Sequence, residues 1–337
     1  MKVDGGPGTK APIEAMGPAA AAAERDGYDG VVVPETAHDP FVALTLAAQA
    51  TERVELATKV AIAFARSPMT LAYTANDLQQ LSGGRLVLGL GTQVKPHIVR
   101  RFSMPWSRPA ARMREYVLAL QAIWDAWNEG RPLEFRGEFF THTLMNPLFC
   151  PPPNPFGRPG VMLAGVGPRM IEVAGEVADR FACHSFTSPA YLADVIRPTL
   201  AAGARRAGRD PGDVEVAVTC YVATGTTQAE IDEAALQLRR QIAFYGSTAA
   251  YTSVLDHHGF GGLHEDLLAA SRRGEWEAMG ERIDDDVLHT YAVVAPPDQV
   301  AGEILRRYGG LADRVSFYYL GAARLDWTPI VRQLQQG

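Results

Sequence analysis

The sequence predicts a (β/α)8 barrel, on three observations. Short apolar runs rich in β-branched residues alternate with longer helical stretches, and the runs number eight. The runs are apolar almost throughout, as in strands covered on both faces. The glycine-rich turn after the first run, Gly5-Gly6-Pro7-Gly8, lacks GxGxxG, and Pro7 would disrupt it. A doubly wound nucleotide-binding sheet, the competing architecture, would carry that fingerprint there.

The first strand is residues 2–5, followed by a helix over 12–26 with a kink or restart at Gly17-Pro18. The second strand, 30–34, leads to a helix over 41–51. The third, 54–60, leads to a helix that starts at Ser67-Pro68 and stops at Ser82-Gly83-Gly84. After the fourth strand, 86–90, a long helix covers 109–128, where Tyr116, Leu120, Ile123 and Trp127 keep a 3.6-residue spacing. Residues 131–160 break the alternation with a small hairpin at 133–140 and a proline-stiffened run at 150–155. The alternation resumes with strand 161–164 and helix 168–177, strand 180–184 and helix 190–207, then strand 214–222 and helix 228–245. A second irregular stretch, 246–295, holds short helical pieces near 265–271 and 275–282. A helix over 298–308, the eighth strand, 315–319, and a short terminal helix complete the pattern. One barrel domain over 1–337 is expected, with both irregular stretches as insertions near its mouth.

At 337 residues and 47% hydrophobic content the chain can bury a full core. Lys and Arg total 32 and Asp and Glu 38, a net charge of −6, which gives no electrostatic reason to bind nucleic acid or an anionic membrane. No run reaches the roughly 20 apolar residues of a membrane span, and the first residues lack a signal-peptide apolar core. Cys150, Cys183 and Cys220 form no CxxC and read as thiols in a reducing compartment. A cytoplasmic protein is expected.

Active sites of such barrels lie at the C-terminal ends of the strands, which selects candidates directly. After strand two come Glu35, Thr36, His38 and Asp39. Lys59 and Arg66 follow strand three, and Thr92, Lys95 and His97 follow strand four. Strand five is followed by Gly165-Val166-Gly167-Pro168-Arg169, and strand six by His184-Ser185. In the strand-five turn the glycines admit a ligand close to the backbone, Pro168 suits the first helical position, and the helix start offers free N–H groups to an anion. His38, beside acidic residues, could move a proton near neutral pH. Arg66, Lys95, His97, Arg100, Arg101 and Arg169 place positive charge around the mouth, which fits a small anionic ligand. His257, His258 and His264 lack a paired carboxylate pattern, so no metal is expected. Trp106, Phe139 and Phe140 are candidate apolar walls of the pocket.

Four runs carry a family resemblance: Gly27-Tyr28-Asp29-Gly30-Val31, residues 35–41 (ETAHDPF), residues 82–91 (SGGRLVLGLG) and Gly165-Val166-Gly167-Pro168. In this order the chain resembles the luciferase-like monooxygenase superfamily, and within it the coenzyme F420-dependent oxidoreductase branch. The resemblance implies a bacterial-luciferase-like TIM barrel that holds a deazaflavin at its C-terminal mouth, and commonly a homodimer. It implies a non-proline cis peptide after strand three, matching Lys59-Val60, as a bulge behind the ring. It further implies cofactor contacts at Thr36, Thr92 and His97 and a phosphate-binding turn from Gly165 to Arg169. Several relatives have an acid–His pair directly after strand two. Here the pair is Glu35-Thr36, and His38 stands two residues on, so Glu35 and His38 are the catalytic candidates. An acid used by some relatives after strand four matches Val94, so a sugar-phosphate dehydrogenase mechanism is not implied. An F420-dependent hydride transfer to or from a small organic substrate is the expected function. The alternatives are an FMN-dependent monooxygenase on the same barrel and a non-catalytic deazaflavin-binding protein.

Overall fold

A computed structural model describes residues 1–6, 8, 11–322 and 324–337; Pro7 of the glycine-rich turn lies outside them. The strands are β1 (Lys2–Gly5), β2 (Gly30–Val33), β3 (Glu55–Thr58), β4 (Leu86–Gly91), β5 (Gly160–Ala164), β6 (Arg180–Ala182), β7 (Glu215–Ala223) and β8 (Arg314–Tyr319). All eight are parallel and pair in sequence order, β8 returning to β1 through Lys2–Arg314 and Val3–Val315. A three-residue ladder, Arg180 to Ala182 against Glu215 to Ala217, joins β6 to β7. The expected barrel is therefore present and closed.

The helices are α1 (Met16–Arg25), α2 (Pro40–Ala50), α3 (Pro68–Leu81), α4 (Pro109–Glu129), α5 (Pro168–Val177), α6 (Arg197–Arg206), α7 (Gln228–Gly246), α8 (Pro297–Tyr308) and α9 (Thr328–Gln336). Their starts follow from local chemistry. Asp39 caps α2 by accepting from the Phe41 N–H at 2.8 Å, Ser67 caps α3, and Thr227 with Glu230 forms a capping box on α7. The α4 stripe is buried as its spacing implies: Tyr116, Leu120, Ile123 and Trp127 are at most 2% exposed, and the Trp124 indole donates to Ala72 O at 3.1 Å, fixing α4 on α3.

Three details differ from the sequence reading. The restart near Gly17-Pro18 falls earlier, where a 3-10 turn at Ile13–Ala15 gives way to α1. Pro18 then sits in the first helical turn, where its missing N–H would have no partner. The helix expected over 190–207 contains a π turn at Leu192–Ile196. Residues 246–295 are more ordered than expected. They form helices at Thr252–Asp256, Gly261–Arg273, Trp276–Gly280 and Asp285–Tyr291, then a strand, Ala292–Val294, parallel to Tyr221–Ala223 of β7. The hairpin is present as Phe135–Arg136 against Thr141–His142, tied to α4 by the Glu115 carboxylate, which accepts from the Glu138, Phe139 and Phe140 N–H groups.

Inside the barrel, Ala57, Val87, Met162 and Ala182 form a small apolar cluster separate from the main core between sheet and helices. Below it, at the N-terminal ends of the strands, lies a buried charge network. Arg314, 1% exposed, meets both oxygens of Asp4; Arg180 meets both oxygens of Glu55 and one of Glu215. No described helix is long and apolar enough to cross a membrane.

Candidate active site at the barrel mouth

At the end of β3 the Lys59–Val60 peptide bond is cis, and the chain continues to Ala61–Ile62, which pairs again with β4. This bulge sits against β4 because two β4 residues have no side chain. A Cβ on Gly89 would lie 1.8 Å from Thr58 O, and one on Gly91 would lie 2.7 Å from Val60 Cγ2. The Thr58 hydroxyl donates to Gly89 O at 2.6 Å and closes the contact. The glycines of the LGLG run are thus the partners of the bulge.

The β2 loop locks onto the same bulge. The Glu35 N–H donates to Val60 O, and the Glu35 carboxylate accepts from the Ile62 N–H at 2.7 Å and from Arg66 Nη1 at 2.8 Å. Arg66 Nη2 reaches Asp39 at 3.0 Å, and its guanidinium lies 5.2 Å from the Phe41 ring centroid. Arg66 is therefore committed to two carboxylates and is not free for an anionic ligand. Glu35, its side chain 8% exposed, serves the loop geometry. Thr36 and His38 are exposed on the rim beside it, and Arg101 Nη2 reaches Thr36 O at 3.4 Å.

On β4 and β5 the other expected contacts lie at the mouth. The Thr92 hydroxyl donates to Gln93 O at 2.9 Å, and Gln93 adopts a φ of 57°. His97 begins a π turn, His97–Arg101, that is exposed except for the buried Ile98. Gly167 is the N-cap of α5 with Pro168 behind it, and no side chain caps this helix start. A Cβ on Gly167 would meet nothing within 4 Å, whereas one on Gly165 would strike Met170 Cγ at 2.3 Å. Val166 is half-buried, while Gly167, Pro168 and Arg169 are exposed. The turn is open on its outer side and close-packed on its inner side.

Lys59 itself turns inward, sharing the inner face with Ala57. Its ammonium donates to Ser316 Oγ on β8 at 2.8 Å, and Ser316 is 3.1 Å from the Thr219 hydroxyl on β7. Burial pushes the Lys59 ammonium below the usual lysine range, with Asp4 opposing the shift.

On the β6–β7 side the structure assembles groups that sequence reasoning mostly missed. His184, named only as following strand six, accepts the Phe186 N–H on Nδ1 at 3.0 Å, so the neutral ring carries its proton on Nε2. Tyr245 and Tyr251 flank it, with centroids at 4.5 and 4.7 Å. Burial pulls its pKa down to about 4. The Ser185 hydroxyl donates to the Tyr221 oxygen at 3.0 Å, and Tyr318 stands edge-on to Tyr221 at 5.2 Å. The tyrosines gave no separate signal because Tyr221 and Tyr318 lie within apolar strands, Tyr245 ends the helix expected over 228–245, and Tyr251 comes from the stretch expected to be irregular. Of the expected apolar walls, Trp106 packs on Phe64 and Phe140 on Tyr116, with Arg112 over Phe64 and Phe140; Arg108 lies over Phe139.

Among the described residues no group of three or more His, Cys, Asp or Glu is gathered as a metal site. His257 meets Asp194 at 3.3 Å, and His258 meets the Ser188 hydroxyl at 2.7 Å. A concavity of about 430 Å3 beside Arg197, Arg205 and Val214 lies at the start of β7, away from the mouth. Another, of about 390 Å3, is lined by Gln241, Phe244, Trp276 and Leu320 just past the end of β8.

Comparison with known proteins agrees with this architecture. An uncharacterized protein of Mycobacterium tuberculosis is 51% identical over 306 residues, covering 91% of this chain and 90% of its own. A 5,10-methylenetetrahydromethanopterin reductase of Methanolobus tindarius is 26% identical over 286 residues, covering 84% and 83%. The structure of a coenzyme F420-dependent tetrahydromethanopterin reductase from Methanopyrus kandleri superposes with a TM-score of 0.78 at 18% identity, covering 100% and 97%. The luciferase-like monooxygenase family model matches residues 1–314. With the barrel, the β3 bulge and its glycine seat in place, the chain belongs to the luciferase-like monooxygenase family.

Proposed function

We propose that the protein is a coenzyme F420-dependent oxidoreductase that moves a hydride between the deazaflavin and a small organic substrate. The observation that carries this reading is the α5 start, a helix N-terminus at the barrel mouth with no side-chain cap and with free space at Gly167. Such a start fits the phosphate of a cofactor tail. The family, and relatives named as F420-dependent or methylenetetrahydromethanopterin reductases, support the choice of deazaflavin.

Gly165, Val166, Gly167, Pro168 and Arg169 would hold the phosphate, and Thr36, Thr92 and His97 would border the ring. The Lys59–Val60 bulge would back the ring from below. Bound there, the cofactor supplies the hydride-carrying carbon, and the protein's part is to hold the two reacting carbons in line. Glu35 acts as a positioning residue through Arg66 and Ile62, because its carboxylate is already engaged. His38 stands on the rim as the candidate proton donor. His184 Nε2–H adds a neutral donor on the aromatic side of the mouth. We also propose that the protein works as a cytoplasmic homodimer, and that residues 246–295 shape the substrate pocket.

The family's monooxygenase description favours one second reading, an FMN-dependent monooxygenase. Titrating the protein separately with F420 and FMN, followed by absorption, separates the two. Single-turnover oxidation of the reduced cofactor by candidate acceptors separates either enzyme from a simple binder. At Gly167 the backbone is extended and a Cβ meets nothing within 4 Å, so Gly167→Asp is expected to keep the fold while its carboxylate repels a phosphate. Cofactor affinity is expected to fall about tenfold or more, equivalent to 1.4 kcal/mol. Unchanged affinity would exclude the phosphate turn, and no binding of either cofactor would exclude the proposed function.

A further inference from the structure

The charge balance inside the barrel is uneven from floor to mouth. Three carboxylates and two guanidinium groups occupy the lower layer, and every carboxylate oxygen is taken. Asp4 gives both oxygens to Arg314; Glu55 gives both to Arg180, with Arg314 also at 3.2 Å; Glu215 gives one to Arg180 and one to Lys2. Lys59 lies above this layer, and among the described residues the hydrogen-bond partner of its ammonium is the neutral Ser316 hydroxyl, itself linked to Thr219. A largely enclosed ammonium hydrogen-bonded to a hydroxyl, with Asp4 as a countercharge already committed to Arg314, is costly unless an anion completes its shell. The lowered affinity of Lys59 for its proton is the same imbalance in another form. The side facing the mouth is the direction from which a charge partner can arrive, and the flanking inner positions Ala164 on β5 and Ala182 on β6 are small.

We propose that Lys59 is an anion anchor at the floor of the mouth, receiving a negatively charged oxygen of the bound cofactor ring or of the substrate. The inference rests on the proposed function only for the identity of that oxygen's carrier. It assigns the Lys59 side chain a role separate from that of the bulge its backbone forms. It also narrows the ligand chemistry to an oxyanion, either one delocalised over a ring or a carboxylate or enolate on the substrate. Ser316 and Thr219 are positioning residues that keep the ammonium central rather than folded back toward Asp4.

Lys59→Met, with Lys59→Gln as a second neutral variant should the methionine pack badly, tests this against a structural role. If the ammonium waits for a ligand, removing it relieves a burial penalty, and the ligand-free melting temperature should hold or rise. If the charge serves the fold, both variants should melt lower than wild type, which overturns the proposal. Affinities for F420 and for FMN are then measured by absorption and fluorescence titration. A loss of about tenfold or more in both variants at unchanged melting temperature places the oxyanion on the cofactor. Unchanged cofactor affinity, with saturable acetate binding to the wild-type complex that both variants lose, places it on the substrate. If neither change is seen, the proposal is overturned. If the wild type binds neither cofactor, the proposed function fails, and Lys59 is judged by acetate alone. Saturable thermal stabilisation of wild type that is absent from the variants supports the anchor, and its absence from wild type removes it.

Discussion

Acidification should destabilise this protein through His184, by an amount that the structure sets. The ring accepts the Phe186 N–H on Nδ1 and lies between Tyr245 and Tyr251, so protonation would lose an acceptor and place a charge among aromatic rings. Burial brings its pKa to about 4, against about 6.5 for a free imidazole. Because the folded value is the lower one, the unfolded chain binds the extra proton first. Stability is intact above pH 6.5 and is lost as the pH falls from 6.5 through about 4, with no further loss from this group below that. At about 1.4 kcal/mol per pH unit the full loss is about 3 kcal/mol. Solvent reaching this partly exposed residue screens part of that, leaving about 2 kcal/mol. His184→Asn keeps an acceptor near the Nδ1 position but does not titrate. Urea unfolding of wild type and variant at pH 7.5, 5.5 and 4.5 should show the wild type falling further than the variant. The difference between them removes the carboxylates that titrate in both. Parallel curves, or an NMR titration of His184 centred near 6.5, would refute the reasoning.

Further substitutions address the scaffold. Gly89→Ala drives a Cβ to 1.8 Å from the Thr58 carbonyl oxygen and should lower stability by about 3 kcal/mol or more, whereas Gly302→Ala in α8 meets nothing within 4 Å and should raise it by about 0.5–1 kcal/mol. Urea unfolding checks both, and a tolerated Gly89→Ala would contradict the proposed seat of the bulge. Asp4→Ala strips Arg314 of its bidentate partner and should lower stability by about 3–5 kcal/mol, while the apolar pair Asp4→Leu with Arg314→Met should recover most of that loss. Melting and urea curves of the three proteins decide it.

The barrel was legible because its strands are short apolar runs set apart by glycine and proline, a pattern that survives without tertiary information. Residues 2–5 and 168–177 match their elements end to end. Strand 292–294 was not legible, since three small apolar residues before a proline pair carry no periodicity. The charge network failed for another reason. Asp4, Glu55, Arg180, Glu215 and Arg314 each stand at or near a strand start, where a charge ordinarily faces solvent; only closure of the sheet, bringing residues 310 positions apart together, turns them inward. In the mouth, sequence proximity favoured His38 beside two acids. The fold spends both of those acids on Arg66 and builds its most enclosed histidine environment around His184 instead.

The seam between β6 and β7 has a consequence for how this mouth could change. Only Arg180 to Ala182 pair with β7 along its lower half, and the upper half is covered by Ala292 to Val294. Phe186 stacks on Tyr291 at 4.6 Å just above, so the rim there is stitched from residues far apart in the chain. The lower and upper courses of this wall are thereby built from different parts of the chain. Lengthening or reshaping the chain between α7 and Ala292 would move the upper course while the lower ladder and the charges beneath it stay in place. The rim of the barrel can then be rebuilt at this seam without having to refold its base.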